Sequence, residues 1–565
     1  MDDLRDALAR LDARLETLER RVALLEERRQ ETPSVPSLPK TEISDSVAAL
    51  TQPGMLAPAE NIFSVAGRSM LGIAGAYVLR AIAESGSFPR LAVVVLALTY
   101  AGMWLVWAAR AATAARFTRF AYAVTASLIL VPMLAELTLR FQVLPDAVTA
   151  ALLSTYVVGA FALAWKRSLS SLAWVATGAA LATALALLVV SHNLVTYMSA
   201  LLVMAAASEF AAAGGRWRSL RFVAFPAALV AALILVYIQS LPLSSRPDYP
   251  SVSTSVVLAL ATLLFVIYGV STAYSTILQR QAMSIFALVQ AVTTFILAAV
   301  SWLWFAPGAG RIALGCFCWI LAAACYAAAF VRFDRVADER NYHVYSTWSV
   351  ALVMTGSFLL LAPTAQALFL SALAIAATLT GVRIARLTLE FHGLVYLTGA
   401  AFSSSLLTYA ARALTGTFPT APGWLVWVVA VAALLCYAIG GRFRGDLWNQ
   451  KLMRVLSAAL AVSAVATFLV SGLVWLAASG MTLGESHVAV IRTLITCALA
   501  LALAFSGSRW GRSELVWTAY GTLAFVTAKL IFEDLPHGHS GSIAVSIFLY
   551  AVSLILIPRL ARTKA

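Results

Sequence analysis

Two hydrophobic patterns divide the chain. From Ile62 to Pro558, apolar runs of close to twenty residues recur, separated by short polar breaks. A helix needs about 20 apolar residues to cross hydrocarbon, whereas a barrel strand needs about 10 with strict alternation. The alternation is missing, so the runs predict an all-α polytopic membrane protein of about eighteen transmembrane helices. They fall near 62–83, 91–108, 118–138, 146–165, 170–189, 193–212, 219–239, 252–272, 282–304, 309–330, 345–361, 364–384, 391–411, 423–440, 455–477, 486–505, 513–532 and 541–558. The second pattern precedes them. Leu4, Leu8, Leu11, Leu15, Leu18, Val22 and Leu25 alternate spacings of four and three, the a/d seam of a coiled coil.

Three regions emerge from these patterns: a coiled-coil helix over 1–30, a linker over 31–60 and a transmembrane domain over 61–565. The linker holds Pro33, Pro36, Pro39, Pro53 and Pro58 among small and polar residues, a composition that stays extended. The narrow seam with flanks of both signs suits association, with another copy or a partner protein, better than a basic helix lying on a membrane. The latter, or a helix resting on the protein's own loops, is the alternative.

Composition agrees with the membrane assignment. Hydrophobic residues make up 61% of the chain and charged residues 12%, against roughly 25% charged in soluble domains. The net charge of +14 is spread over many loops and forms no single stripe, which argues for membrane lipids and against nucleic acid as the partner. The spread is also ordered. One alternate set of loops holds Arg110, Arg116, Arg119, Lys166, Arg167, Arg216, Arg218, Arg221, Arg280 and onward to Arg509, Arg512 and Arg559; the other holds only Arg90, Arg140, Arg246, Arg311 and Arg412. By the positive-inside rule both termini, and the coiled coil, lie in the cytoplasm of a cell whose inner membrane holds the rest. The charged N-terminus has no apolar core and is not expected to be a cleavable signal peptide. All five cysteines lie in apolar runs, so no disulfide framework is expected.

Candidate chemistry begins near the end of the seventeenth span. Lys529 and Glu533 are four apart and share a helix face, with Asp534 adjacent. Other ionisable groups expected at the same membrane face are Arg80 and Glu84, Glu136, Glu485 and His487, and Arg492 inside the sixteenth span. An arginine at that depth needs a partner, and Glu485, Glu533 and Asp534 are the candidates. The sharper expectation is one cluster of Arg80, Glu84, Arg492, Lys529 and Asp534; the plainer one is separate pairs that lock helices, with Lys529 snorkelling to the boundary. On the opposite face Glu209 is expected beside Arg216, and Glu390 with His392 opens the thirteenth span. His537-Gly538-His539 is too sparse for a tight metal site, and His192 reads as a turn residue. No phosphate-binding loop and no nucleophile elbow is present, so no catalytic residue, metal or cofactor is expected and the chain leans away from an enzyme.

The order of these features resembles a bacterial family of multi-pass membrane proteins, the domain of unknown function 2339. The residues that carry the likeness are Gly72 through Arg80-Ala81-Ile82-Ala83-Glu84-Ser85-Gly86, then Pro89-Arg90-Leu91, the Phe141-Gln142-Val143-Leu144-Pro145 break, and Lys529-Leu530 through Asp534-Leu535. It extends over residues 60 to 565. The family usually has an arginine between the closing Asp-Leu and the last span, where this chain has Pro536-His537-Gly538-His539-Ser540. The resemblance implies topology and no activity. Three functions therefore stand open: a transporter, channel or lipid-handling protein; a scaffold of an envelope complex joined through the coiled coil; or an embedded enzyme on lipid-linked sugars. The last would need a large outer loop with paired acids, and 240–251 supplies only Asp248 with Arg246.

Overall fold

A computed structural model describes residues 57–85, 89–111, 116–336, 338–416, 421–440, 448–479, 484–537 and 539–561. The predicted coiled coil, Leu4 to Leu25, lies outside them, as does the linker up to residue 56. The linker prediction overran by four residues, because Ala57–Glu60 is already helical. Pro58 stands at the second position of that helix, where its missing N–H is not needed.

Among the described residues, nineteen helices of ten residues or more make up the fold. They are α1 Ala57–Ser85, α2 Arg90–Arg110, α3 Arg116–Leu139, α4 Asp146–Arg167, α5 Ser170–Val190, α6 Leu194–Ala213, α7 Arg221–Ser240, α8 Thr254–Ala273, α9 Ile285–Phe305 and α10 Ala309–Ala327. They continue with α11 Glu339–Leu360, α12 Pro363–Ile384, α13 Leu387–Ser403, α14 Leu406–Thr415, α15 Trp424–Gly440, α16 Trp448–Ala478, α17 Glu485–Trp510, α18 Ser513–Lys529 and α19 Ser540–Ala561. No strand occurs among the described residues. The solvent is the reason: in hydrocarbon every backbone N–H and C=O must find its partner within the protein, and a helix does so by itself.

A helix stands at each of the eighteen predicted positions, but they are not alike. Fourteen are long and apolar enough to cross a bilayer. The predicted span 391–411 is two helices, α13 and α14, meeting at 70°. The break falls at Ser403-Ser404-Ser405, where the side chains of Ser403 and Ser404 bond backbone carbonyls and Ser405 adopts a left-handed conformation at φ 63°. Helix α15 is 17 residues long, at the short end of a full crossing. Helix α11 begins Glu-Arg-Asn-Tyr-His and is too polar to qualify by composition. The architecture is that of a polytopic helical membrane protein.

Contacts divide the chain into two units, residues 1–69 and 70–565. Of the first, 57–69 is described, as helix. Within the second, most consecutive helices pack as hairpins, among them α2 with α3, α10 with α11, α12 with α13, and α17 with α18, while α19 returns onto α17. Lipid offers no hydrophobic drive for helices to associate, so close approach depends on small residues. Added to Gly393, a Cβ would sit 2.4 Å from Thr378 Oγ1, and at Gly72 it would sit 2.2 Å from the Trp104 ring.

Three helices end in a wide π-helical turn: α8 in Tyr274–Leu278, α10 in Ala328–Phe333 and α18 in Leu530–Asp534. The third of these shapes the site.

Candidate functional site

Arg492 lies two turns into α17 and is 3% exposed. Its Nε donates to the carbonyl of Ala413 at 2.7 Å, and its Nη2 to those of Gly416 at 2.6 Å and Arg412 at 3.2 Å. Its Nη1 donates to Glu533 Oε1 at 2.6 Å. The carbonyls of Arg412 and Ala413 lie in the last turn of α14 and that of Gly416 just beyond it, where the helix dipole is negative; Arg412 O also takes the Gly416 N–H. A planar guanidinium presents five N–H donors in a fixed fork, which suits several such acceptors lying side by side.

Beside it, Lys529 is buried at the end of α18. Its Nζ donates to Asp534 Oδ1 at 2.6 Å, Thr493 Oγ1 at 3.0 Å and the carbonyl of Ala489 at 3.2 Å, which engages all three ammonium donors. The Thr493 hydroxyl lies 3.1 Å from both Asp534 Oδ2 and Ala489 O. The expected Lys529–Glu533 partnership is therefore secondary, at 4.0 Å. A regular helix aligns positions four apart, but the π turn bonds five apart and swings Asp534 under Lys529. Glu533 is left to face Arg492. Snorkelling of Lys529 is excluded, because its side chain has no exposed surface.

Arg80 and Glu84 belong to a different set. Arg80 Nη1 meets Glu136 Oε1 at 2.9 Å and its Nε meets Glu84 Oε1 at 3.3 Å, while Arg140 Nη1 meets Glu84 Oε1 at 2.9 Å. These side chains close the ends of α1 and α3 and are 27–58% exposed. No ion pair among the described residues joins them to Arg492 or Lys529, so the single cluster resolves into two. Glu485 is exposed at the start of α17 and forms no ion pair with either set among the described residues. His487 accepts from the Gly484 N–H at 3.3 Å and completes the helix start.

A second buried network centres on Glu209, with partners other than the expected one. Glu209, 4% exposed near the end of α6, accepts from Arg221 Nε at 2.8 Å, Gln290 Nε2 at 3.2 Å and Ser271 Oγ at 2.5 Å. Arg221 Nη2 also reaches Gln290 Oε1 at 2.9 Å. Sequence proximity favoured Arg216. The Gly214–Gly215 turn and the short 3₁₀ segment Arg218–Leu220 instead deliver Arg221 at the first position of α7, and Arg216 stacks 4.6 Å over Trp165. Gln290, a polar side chain inside an apolar run, was the available signal.

His392 is completely buried in α13. Its Nδ1 lies 3.0 Å from Tyr326 Oη, which lies 2.6 Å from Tyr396 Oη, and its Nε2 has no partner. His192 occupies a left-handed turn with its ring edge-on to Tyr249. No group of three metal-ligating side chains occurs among the described residues, and Gly538 and the side chain of His537 lie outside them. Chemically, the α14–α17–α18 end offers two coupled cation–carboxylate pairs inside an apolar bundle, with the Thr493 hydroxyl set between Lys529 and Asp534. The chain matches no protein-family model, no curated protein and no solved structure.

Proposed function

We propose that the protein is a bacterial inner-membrane protein, related to the family it resembles, that moves or handles a solute or lipid through the bilayer. The observation that carries this reading is the Lys529–Asp534 pair, buried with Thr493 against an apolar surround. Ionisable groups in spanning helices are costly and mark solute or ion pathways. Arg492 and Glu533 join the same site, with Arg80, Glu84 and Glu485 as outer-face charges. On this reading about eighteen segments cross, both termini are cytoplasmic as the loop arginines require, and the chain associates through Leu4 to Leu25. Lipid is its surroundings, and nucleic acid is not a partner.

The scaffold reading has its own support. All three guanidinium nitrogens of Arg492 are spent on α14 carbonyls and Glu533, as a purely structural tie would be. Complementation of a strain lacking the protein separates the two. Lys529→Met combined with Asp534→Leu replaces the buried pair by apolar bulk, a change that folded proteins commonly accept. Loss of complementation with normal membrane levels supports handling of a solute. Full complementation by this variant, with failure on deletion of residues 1–30, establishes the scaffold. Topology has a separate test: cysteines placed at Ser245 or Gly538 should be labelled from outside intact cells, and those at Arg216 or Arg444 should not. Labelling of the second pair overturns the orientation.

A further inference from the structure

Between α1 and α3 lies a cavity of about 190 Å³ whose walls are apolar, including Ile73, Tyr77, Ile129, Met133 and Phe141. Arg80 and Glu136 also border it, so it is apolar along its length and charged at one end. Pro132 stands inside α3 at the same wall, where a helix loses a backbone bond and bends from its neighbour. The volume is below the 300–1,000 Å³ or so of a pocket for a whole small molecule. It suits one stretch of hydrocarbon chain whose polar end remains outside. The face of α1 beside it is exposed and apolar, with Met70, Leu71 and Val78 each more than half exposed.

The charges decide which polar end fits. Glu136, Arg80, Glu84 and Arg140 pair in that order as an open chain whose charges alternate in sign and sum to zero, which gives a simple anion or cation no net attraction. Partly exposed ion pairs are weak and exchange partners readily. A headgroup with both signs can enter such a chain by exchange, its phosphate taking the guanidinium donors and its ammonium the carboxylates. A primary ammonium donates hydrogen bonds to a carboxylate, whereas a quaternary one cannot. We propose that the α1–α3 groove binds an aminophospholipid, with an acyl chain in the cavity and the zwitterionic headgroup on the Glu136–Arg80–Glu84–Arg140 chain of ion pairs. This requires that the chain spans a bilayer and does not depend on a transport role.

The test uses the full-length protein purified in mild detergent and titrated with phosphatidylethanolamine, phosphatidylcholine or phosphatidylglycerol, bound lipid being counted by native mass spectrometry. Phosphatidylethanolamine should bind at least tenfold more tightly than either of the others. Arg80→Gln and Glu136→Gln should each abolish that preference. Met133→Trp, which fills the groove and leaves the ion pairs intact, should lower retention of all three lipids. Equal retention of the three, a preference for phosphatidylglycerol, or a preference unchanged in both charge variants overturns the proposal. A variant that unfolds is replaced by Arg140→Gln, expected to reduce the preference severalfold.

Discussion

Two clusters of the same charge balance sit in very different surroundings. The α14–α17–α18 end has Arg492, Lys529, Glu533 and Asp534; the α1–α3 end has Arg80, Arg140, Glu84 and Glu136. Each holds two cations and two carboxylates at 2.6–3.3 Å in its closest pairs. In the first, Arg492, Lys529 and Asp534 are almost wholly buried and each also bonds backbone or hydroxyl groups. In the second, solvent reaches every member and the partners bond chiefly one another. Burial thus separates a fixed internal bond from an exchangeable surface one, although the charges balance in the same way.

Removing one member should show the contrast. The largest effect is expected for Lys529→Ala, which leaves Asp534 buried without its cation and should cost about 3–5 kcal/mol, read as a strong fall in Tm in detergent. Next comes Arg221→Ala in the Glu209 network, where Ser271 and Gln290 still serve the carboxylate; about 2–3 kcal/mol is expected. Smaller again is Gly393→Ala, which sets a methyl against Thr378 and the Ala374 carbonyl and should cost about 1–3 kcal/mol by overpacking without touching any charge. The smallest is Arg140→Ala, below about 1 kcal/mol and shrinking further in high salt. An Arg140→Ala loss as large as that of Lys529→Ala would erase the distinction between the two ends.

Much of the fold was legible because lipid makes the coding coarse. Any run near twenty apolar residues must be a helix there, so the eighteen helical positions follow from composition alone. The illegible part depends on single residues. The bend in 391–411 was written in three consecutive serines, a weak signal inside an apolar run. The partners of the site were harder to read. Glu533 stands among the partners the sequence offers Arg492, but the carbonyls of Ala413 and Gly416 that hold Arg492 belong to the backbone and leave no trace in side-chain identity. Lys529 was assigned to Glu533 because helix periodicity is regular by default, and a π turn has no distinctive sequence. Arg221 was passed over for Arg216 because nearness along the chain is a poor guide where a Gly-Gly turn reverses direction.

The turn at Leu530–Asp534 has one further consequence. A π turn holds one residue more than the helix it interrupts, so chain length can change by one there without displacing α19. Deleting Phe532, whose side chain is 77% exposed, would restore ordinary winding and bring Asp534 four places from Lys529, still on its face. Glu533 would rotate off Arg492. A single codon therefore separates a chain with two linked ion pairs from a chain with one.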